Sequence, residues 1–385
     1  MTITFGPGVS LGPGIQVVMP DPMLIWAFGS GDNGSLGLNK VVSYSSPVQV
    51  GSLATWTSKI SSGKKWVMAI KSDASLWTWG YNANGQLGLG DTANRSSPIQ
   101  VGSLTTWSQI SGNTVSTLAV KTDGTLWAWG GGYGGGLGLG NTNNYSSPKQ
   151  VGILTTWLSA TAGPYSGNAI KTDGTLWAWG DNTSGQLGTG DRIHRSSPVQ
   201  VGLLTNWLSI AASNYGPQEN FRLAVKTDGT LWGWGSGKYG SLGLGNQTYY
   251  SSPKQIGSLT NWATASAAVR YSIALKTDGT MWSWGDGFSY GQLGLNRPQE
   301  TLLSPVQIGA LTNWATQQAS DYVGRATKTN GTLWVWGSNY GGALGNNQDS
   351  FTGDTKHMSS PIQVGSSTGW LAVTGGYRYT IARGT

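Results

Sequence analysis

An all-β fold, a seven-bladed β-propeller closed by its own termini, is what this sequence predicts, and three observations carry the reading. A glycine closes the motif LWxWG, or a variant of it, at positions 29, 80, 130, 180, 235, 285 and 337, so a unit of about 50 residues recurs seven times. Within a unit, an alternating apolar run, a tight polar tip and a second run with Trp at alternate positions read as adjoining antiparallel strands. The last unit ends YRYTIARGT without the DGTLWxWG that should follow, and the missing strand is LIWAFG at 24–29. Short strands repeated radially with this period form propeller blades, so one blade should be assembled from both chain ends. Residues 1–22 then form a leader containing Gly and Pro, and residues 23–385 the propeller.

The elements of the unit follow in order. Its first hairpin tip is Asp-Gly at 123–124, 173–174, 228–229 and 278–279, and Asn-Gly at 330–331. A two-residue type I′ turn, with positive φ at both central residues, is the expectation for such tips. Asp73-Ala74 departs from the pattern, and since Ala at positive φ costs about 1 kcal/mol or more, a modified turn is expected there. In the next strand, Trp77 and Trp79 share one face and fill the space between neighbouring blades, while Trp107 and Trp157 mark a later position. Of the 21 Trp only Trp66, in SSGKKW, falls outside the repeat, which makes it a candidate contact residue. The stretches NGQLGLGD (84–91), SGQLGTGD (184–191) and YGQLGLN (290–296) lack a Gly-Lys-Ser/Thr ending and a following helix. They read as turns with a buried Leu plug, not as phosphate loops.

Composition narrows the function classes. Charged residues make up only 10% of the chain, where about 25% is usual, so Ser, Thr, Asn, Gln and Gly must coat the surface. Such a coat suits a virion or extracellular surface. The chain has no Cys, which excludes disulfides and thiolate chemistry. The net charge of +7 is spread without a dense Lys/Arg stripe, so nucleic acid is not an expected partner. No run approaches the roughly 18–20 apolar residues of a membrane span, and no membrane insertion is expected.

The unit AVKTDGTLWAWG, followed by a GxLGxG turn and SSPxQV, resembles the regulator of chromosome condensation repeat, and the likeness covers residues 23–385. The resemblance implies a propeller used as a binding platform. Its eukaryotic founder is a chromatin-bound nucleotide-exchange factor for a small GTPase, and bacterial relatives include a β-lactamase inhibitor. The family often places His early in the second strand, where this chain has Trp66, Ser116, Ser166, Phe221, Tyr271 and Tyr379. Exchange activity is therefore not carried over.

Candidate functional residues lie where the repeats stop repeating. Glu219 and Glu300 are the only glutamates, and His194 and His357 sit in what read as unrelated variable loops, so no catalytic triad or metal spacing can be assembled. No catalytic residue, metal or cofactor is expected, and a glycan-active enzyme using two distant carboxylates is the third reading. A rigid scaffold puts recognition in its loops. The segment before each second strand varies and supplies Trp66, Tyr165, Tyr215, Phe221, Arg222, Arg270, Tyr271, Tyr322, Arg325, Tyr377, Arg378 and Tyr379 as a binding rim for a host-surface protein or glycan. A second variable set, including Arg95, Tyr145, Arg192, His194, Arg195, Tyr249 and Tyr250, is expected at another edge.

In the leader, FGPGVS and LGPGIQ form a tandem whose Ile3, Phe5, Val9, Leu11, Ile15 and Val17 alternate as candidate anchors to other virion proteins by strand addition. This leader resembles the Gly-Pro openings of marine bacteriophage tail and appendage proteins. The expectation is a non-enzymatic virion appendage or decoration protein. The alternative is a free binding or inhibitory module of the bacterial cytoplasm.

Overall fold

A computed structural model describes residues 23–52, 55–213, 219–288, 290–297, 300–348 and 357–385. The leader with its six candidate anchors, and Tyr215 of the binding set, lie outside the described residues. The chain forms seven four-stranded antiparallel sheets. Blades one to six begin at the strands Trp56–Ser62, Trp107–Gly112, Trp157–Gly163, Trp207–Ala212, Trp262–Ala267 and Trp314–Ser320. These strands touch their counterparts in the neighbouring blades and so are innermost. The seventh blade is the composite expected from the sequence: Trp370–Gly376 and Tyr379–Gly384 come from the end of the chain, and Leu24–Gly29 and Tyr44–Gln49 from its start. Leu24 to Gly29 pair without interruption with Gly384 to Tyr379.

The turns before the third strands depart from expectation. In blade two the Gly124 amide donates to Lys121 O, and only Gly124, not Asp123, has positive φ (76°). This is a type I turn with a glycine bulge rather than a type I′ turn. The cause lies in the side chains: Asp123 Oδ1 accepts from the amide of Thr125 at 2.9 Å and from its Oγ1 at 2.6 Å, which holds the aspartate in the right-handed region. Thr125 Oγ1 in turn accepts from Trp127 Nε1 at 2.8 Å. Ala74 takes the left-handed conformation (φ 61°) and keeps the same hydrogen bond to Lys71 O, so blade one has no modified turn.

Both tryptophans of the third strand are accounted for by packing. Trp129 is fully buried and donates to Gln86 O of the preceding blade at 3.0 Å, and Trp79, Trp179, Trp234, Trp284 and Trp336 do the equivalent. Phe28 takes this place in the composite blade. Trp127 meets Trp107 edge to face at 6.2 Å, and Lys121 Nζ caps the pair, 3.7 Å from the Trp127 centroid. The same sandwich recurs at Lys71, Lys171, Lys226, Lys276 and Lys328. Burial between the rings lowers the pKa of Lys71, Lys121, Lys226, Lys276 and Lys328. The composite blade keeps the pair Trp26–Trp370 but has Gly384, not Lys, opposite Trp370.

The glycine-rich turns leave the third strand and strap each blade to the next. Their leucines, such as Leu87 and Leu187, are fully buried, as the plug reading requires. In all seven turns a backbone amide reaches the outer strand of the following blade, as in Gly90 N to Ser146 O and, across the chain ends, Asn347 N to Ser45 O. The glycine ending each third strand has a φ between 95° and 106°. At Gly80 a Cβ would stand 2.5 Å from Lys65 O, so the close approach excludes a side chain there.

Candidate binding face

Strand alternation decides which loops share an end of the molecule. The turn between inner and second strands and the glycine-rich turn after the third strand emerge at the same end of every blade, and hydrogen bonds join them: Tyr81 N to Lys65 O, Asp181 N to Tyr165 O, Asp286 N to Arg270 O and Ser338 N to Tyr322 O. The second variable set therefore does not occupy another edge. Arg95 and Arg195 open outer strands opposite Gly80 and Gly180, at the same end but further from the axis, and each pairs with an aspartate four residues back.

The rim residues expected from sequence divide into two groups. Trp66, Phe221, Arg222, Tyr271, Arg325 and Tyr379 are completely buried, so they are not surface contacts. They occupy the first three positions of second strands, which face the neighbouring blade. Trp66 Nε1 donates to Asn113 O of blade two at 2.9 Å, and Tyr379 Oη lies 2.8 Å from both Gly63 O and Trp66 O, tying the composite blade to blade one. Arg222 donates to Asn168 Oδ1 and Phe221 O, and Arg325 to Thr380 Oγ1, Ser320 Oγ and Tyr379 O. Burial pushes the Arg222 pKa down to about 9 and that of Arg325 to about 10.

Tyr165, Arg270, Tyr322, Tyr377 and Arg378 do reach the surface. Tyr165 meets Tyr133 at 5.5 Å, and Arg270 lies over the Tyr239 ring at 4.4 Å while its Nε donates to Glu219 at 2.9 Å. Tyr322 packs on Tyr290 at 4.8 Å, which also touches Tyr340 and His357. Arg378 sits between Tyr340 and Tyr377, 4.9 and 4.5 Å from their centroids. The partners Tyr133, Tyr239, Tyr290 and Tyr340 were not singled out from the sequence, although each precedes a glycine in a glycine-rich turn. Nor are the two histidines unrelated: His194 Nδ1 accepts from Asn182 N, and His357 Nδ1 from Asn339 N, the place held by Asn94 and Asn144 in blades one and two.

These side chains converge on a cleft of about 40 Å³ lined by Tyr290, Asp321, Tyr322, Val323, Ser338, Tyr340, Tyr377 and Arg378. Three blades contribute, because Tyr290 comes from blade five and Tyr377 and Arg378 from the composite blade. Asp321 stands in the two-residue turn joining Ser320 to Val323, is 8% exposed and has a φ of 43°. Burial raises its pKa to about 6, opposed by the charges of Lys64, Arg325 and Arg378, and no hydrogen bond contributes. Among the described residues no group of three or more His, Cys, Asp or Glu is placed to hold a metal ion, and no helix is long and apolar enough to cross a membrane.

The regulator of chromosome condensation (RCC1) repeat model matches residues 24–70, 73–120, 123–169, 173–216, 228–275 and 330–383. The chain is 31% identical over 164 residues to the ultraviolet-B receptor UVR8 of Arabidopsis thaliana, a match spanning 41% of this chain and 36% of the receptor. It thus matches only about a third of that relative's length. Among solved structures, human WBSCR16 superimposes with a TM-score of 0.81 at 19% identity, over 94% of this chain and 99% of that one. Prp20p of Saccharomyces cerevisiae, described with its binding to Gsp1p and histones, gives 0.83 at 18% identity, over 94% and 92%. At these identities the structural likeness shows the fold alone.

Proposed function

Since the chain belongs to the RCC1 repeat family, we propose that it is a non-catalytic binding propeller that engages its partner through the end bearing the variable and glycine-rich turns. The observation that carries this reading is the concentration of half-exposed Tyr and Arg there, stacked on one another from blade five to the composite blade. Tyr and Arg are the residue types that dominate binding hot spots. The repeats' own aspartates and lysines are absorbed by turns and tryptophan sandwiches, which leaves little for acid–base chemistry.

The finer reading is a bacteriophage virion appendage or decoration protein. Residues 1–22 would anchor it to other virion proteins, and the propeller would be presented to a host-surface protein or glycan. The sparsely charged, polar surface and the Gly-Pro tandem of the leader support it. A free inhibitory module in the bacterial cytoplasm is the alternative. The test joins proteomics of purified particles with binding of labelled protein to intact host cells. The chain should be present in particles, and Tyr322→Ala with Tyr377→Ala should reduce cell binding more than about tenfold at unchanged melting temperature. Absence from particles overturns the virion placement, and undiminished binding by the variant removes this end of the propeller as the contact.

A further inference from the structure

Taking the binding face above as its premise, we infer that the cleft around Asp321 is a subsite for a neutral saccharide, which inserts an edge carrying two vicinal hydroxyls. About 40 Å³ holds roughly three waters, at about 10–15 Å³ each, which is room for a pair of hydroxyls and not for an entire sugar ring. Binding is therefore an edge-on insertion with the ring left in the mouth of the cleft. There Tyr290, Tyr322, Tyr340 and Tyr377 line the cleft, and aromatic rings are surfaces on which the C–H face of a pyranose packs.

Polar complementarity fixes the class further. Asp321 is more than nine-tenths buried, lines the cleft and receives no hydrogen bond among the described residues, an expensive arrangement for a carboxylate. A ligand hydroxyl donating to it relieves that cost. Arg378 lines the same cleft, so the cleft presents a guanidinium donor as well as a carboxylate acceptor. Vicinal hydroxyls, each able to donate and accept, match such a pair. A cationic ligand would meet Lys64, Arg325 and Arg378, the three positive groups acting on Asp321. An anion would meet the carboxylate itself. Neutral polyol chemistry satisfies both constraints.

The experiment uses the full chain at pH 7.5 and isothermal titration with the methyl glycosides of glucose, mannose, galactose and N-acetylglucosamine, with tetramethylammonium and inorganic phosphate as charged probes. Surface capture on dextran, mannan and galactan, before and after periodate cleavage of their vicinal diols, separates polymer-borne from free sugar recognition. At least one glycoside should bind with a Kd of about millimolar, as expected for a single shallow subsite. Capture on the matching polysaccharide should be lost after periodate treatment. Asp321→Asn, which suits the positive φ, should weaken binding more than about tenfold with no loss of thermal stability, and Tyr377→Ala likewise with unchanged melting. Failure of all four glycosides to bind, tighter binding of tetramethylammonium or phosphate, or saccharide binding indifferent to both substitutions overturns the inference. If none binds while Tyr322→Ala with Tyr377→Ala still abolishes cell binding, the saccharide assignment falls and the binding face stands.

Discussion

Asp321 shows how one side chain links recognition to stability. Its pKa in the folded protein, about 6, lies above the ordinary 3.8, so folding is favoured by its protonation. Its contribution is most favourable below pH 4 and is lost as pH rises through 6, a penalty of about 3 kcal/mol by proton linkage. Asp321→Asn removes the ionisation. The stability gap between variant and wild type, from urea unfolding at pH 4, 5.5 and 7, should widen with pH in favour of the variant. Other groups face this carboxylate, namely Lys64, Arg325 and Arg378, with the buried hydroxyls of Tyr271 and Tyr379 close enough to couple. None of these is altered by the substitution, so a gap that stays flat from pH 4 to 7 would show that Asp321 is not desolvated.

At the scale of the element, the hairpin turn is the instructive unit. Five turns use glycine at the left-handed position, and blade one uses Ala74 in an otherwise equivalent turn. Because a Cβ at positive φ costs about 1 kcal/mol or more, Ala74→Gly should stabilise the protein by about that amount, read as a shift in urea midpoint at constant m-value. A loss of stability would mean that the Ala74 methyl gains more from packing than it costs in backbone strain. The strands themselves were legible in the sequence because alternation and period are carried by many residues at once. The turn type was not, since it depends on Asp123 Oδ1 bonding to Thr125, a side-chain choice that the Asp-Gly pair leaves open.

For the whole molecule, the legible and illegible parts have a common origin. Period and the interrupted last repeat define seven blades and the composite blade without reference to any contact. Burial of Trp66, Arg222 or Tyr379 depends on how far the neighbouring blade overlaps the start of each second strand, which no single unit records. The placing of Arg95 and its counterparts was recoverable, because an even number of strand reversals returns the chain to the same end. Ring closure is testable at this scale. Deleting residues 380–385 removes the partners of 24–28 and the Thr380 acceptor used by Arg325. Several backbone hydrogen bonds at about 1 kcal/mol each should lower the melting temperature by about 10 °C. Deleting residues 1–18 should leave it unchanged, and equal losses from the two deletions would contradict closure through the composite blade.

The composite blade also sets a clock on biogenesis. Residues 24–29 are made early, but the strand that lies beside them, Tyr379–Gly384, leaves the ribosome about 350 residues later. At translation rates of about 5–20 residues per second, the nascent chain spends roughly 20–70 s with that strand's edge unsatisfied. Six blades are able to form in sequence while the first strand waits. During that interval the open edge is exposed to pairing with other nascent chains on the same message, so the yield of soluble protein should depend on how fast translation runs through the last two repeats.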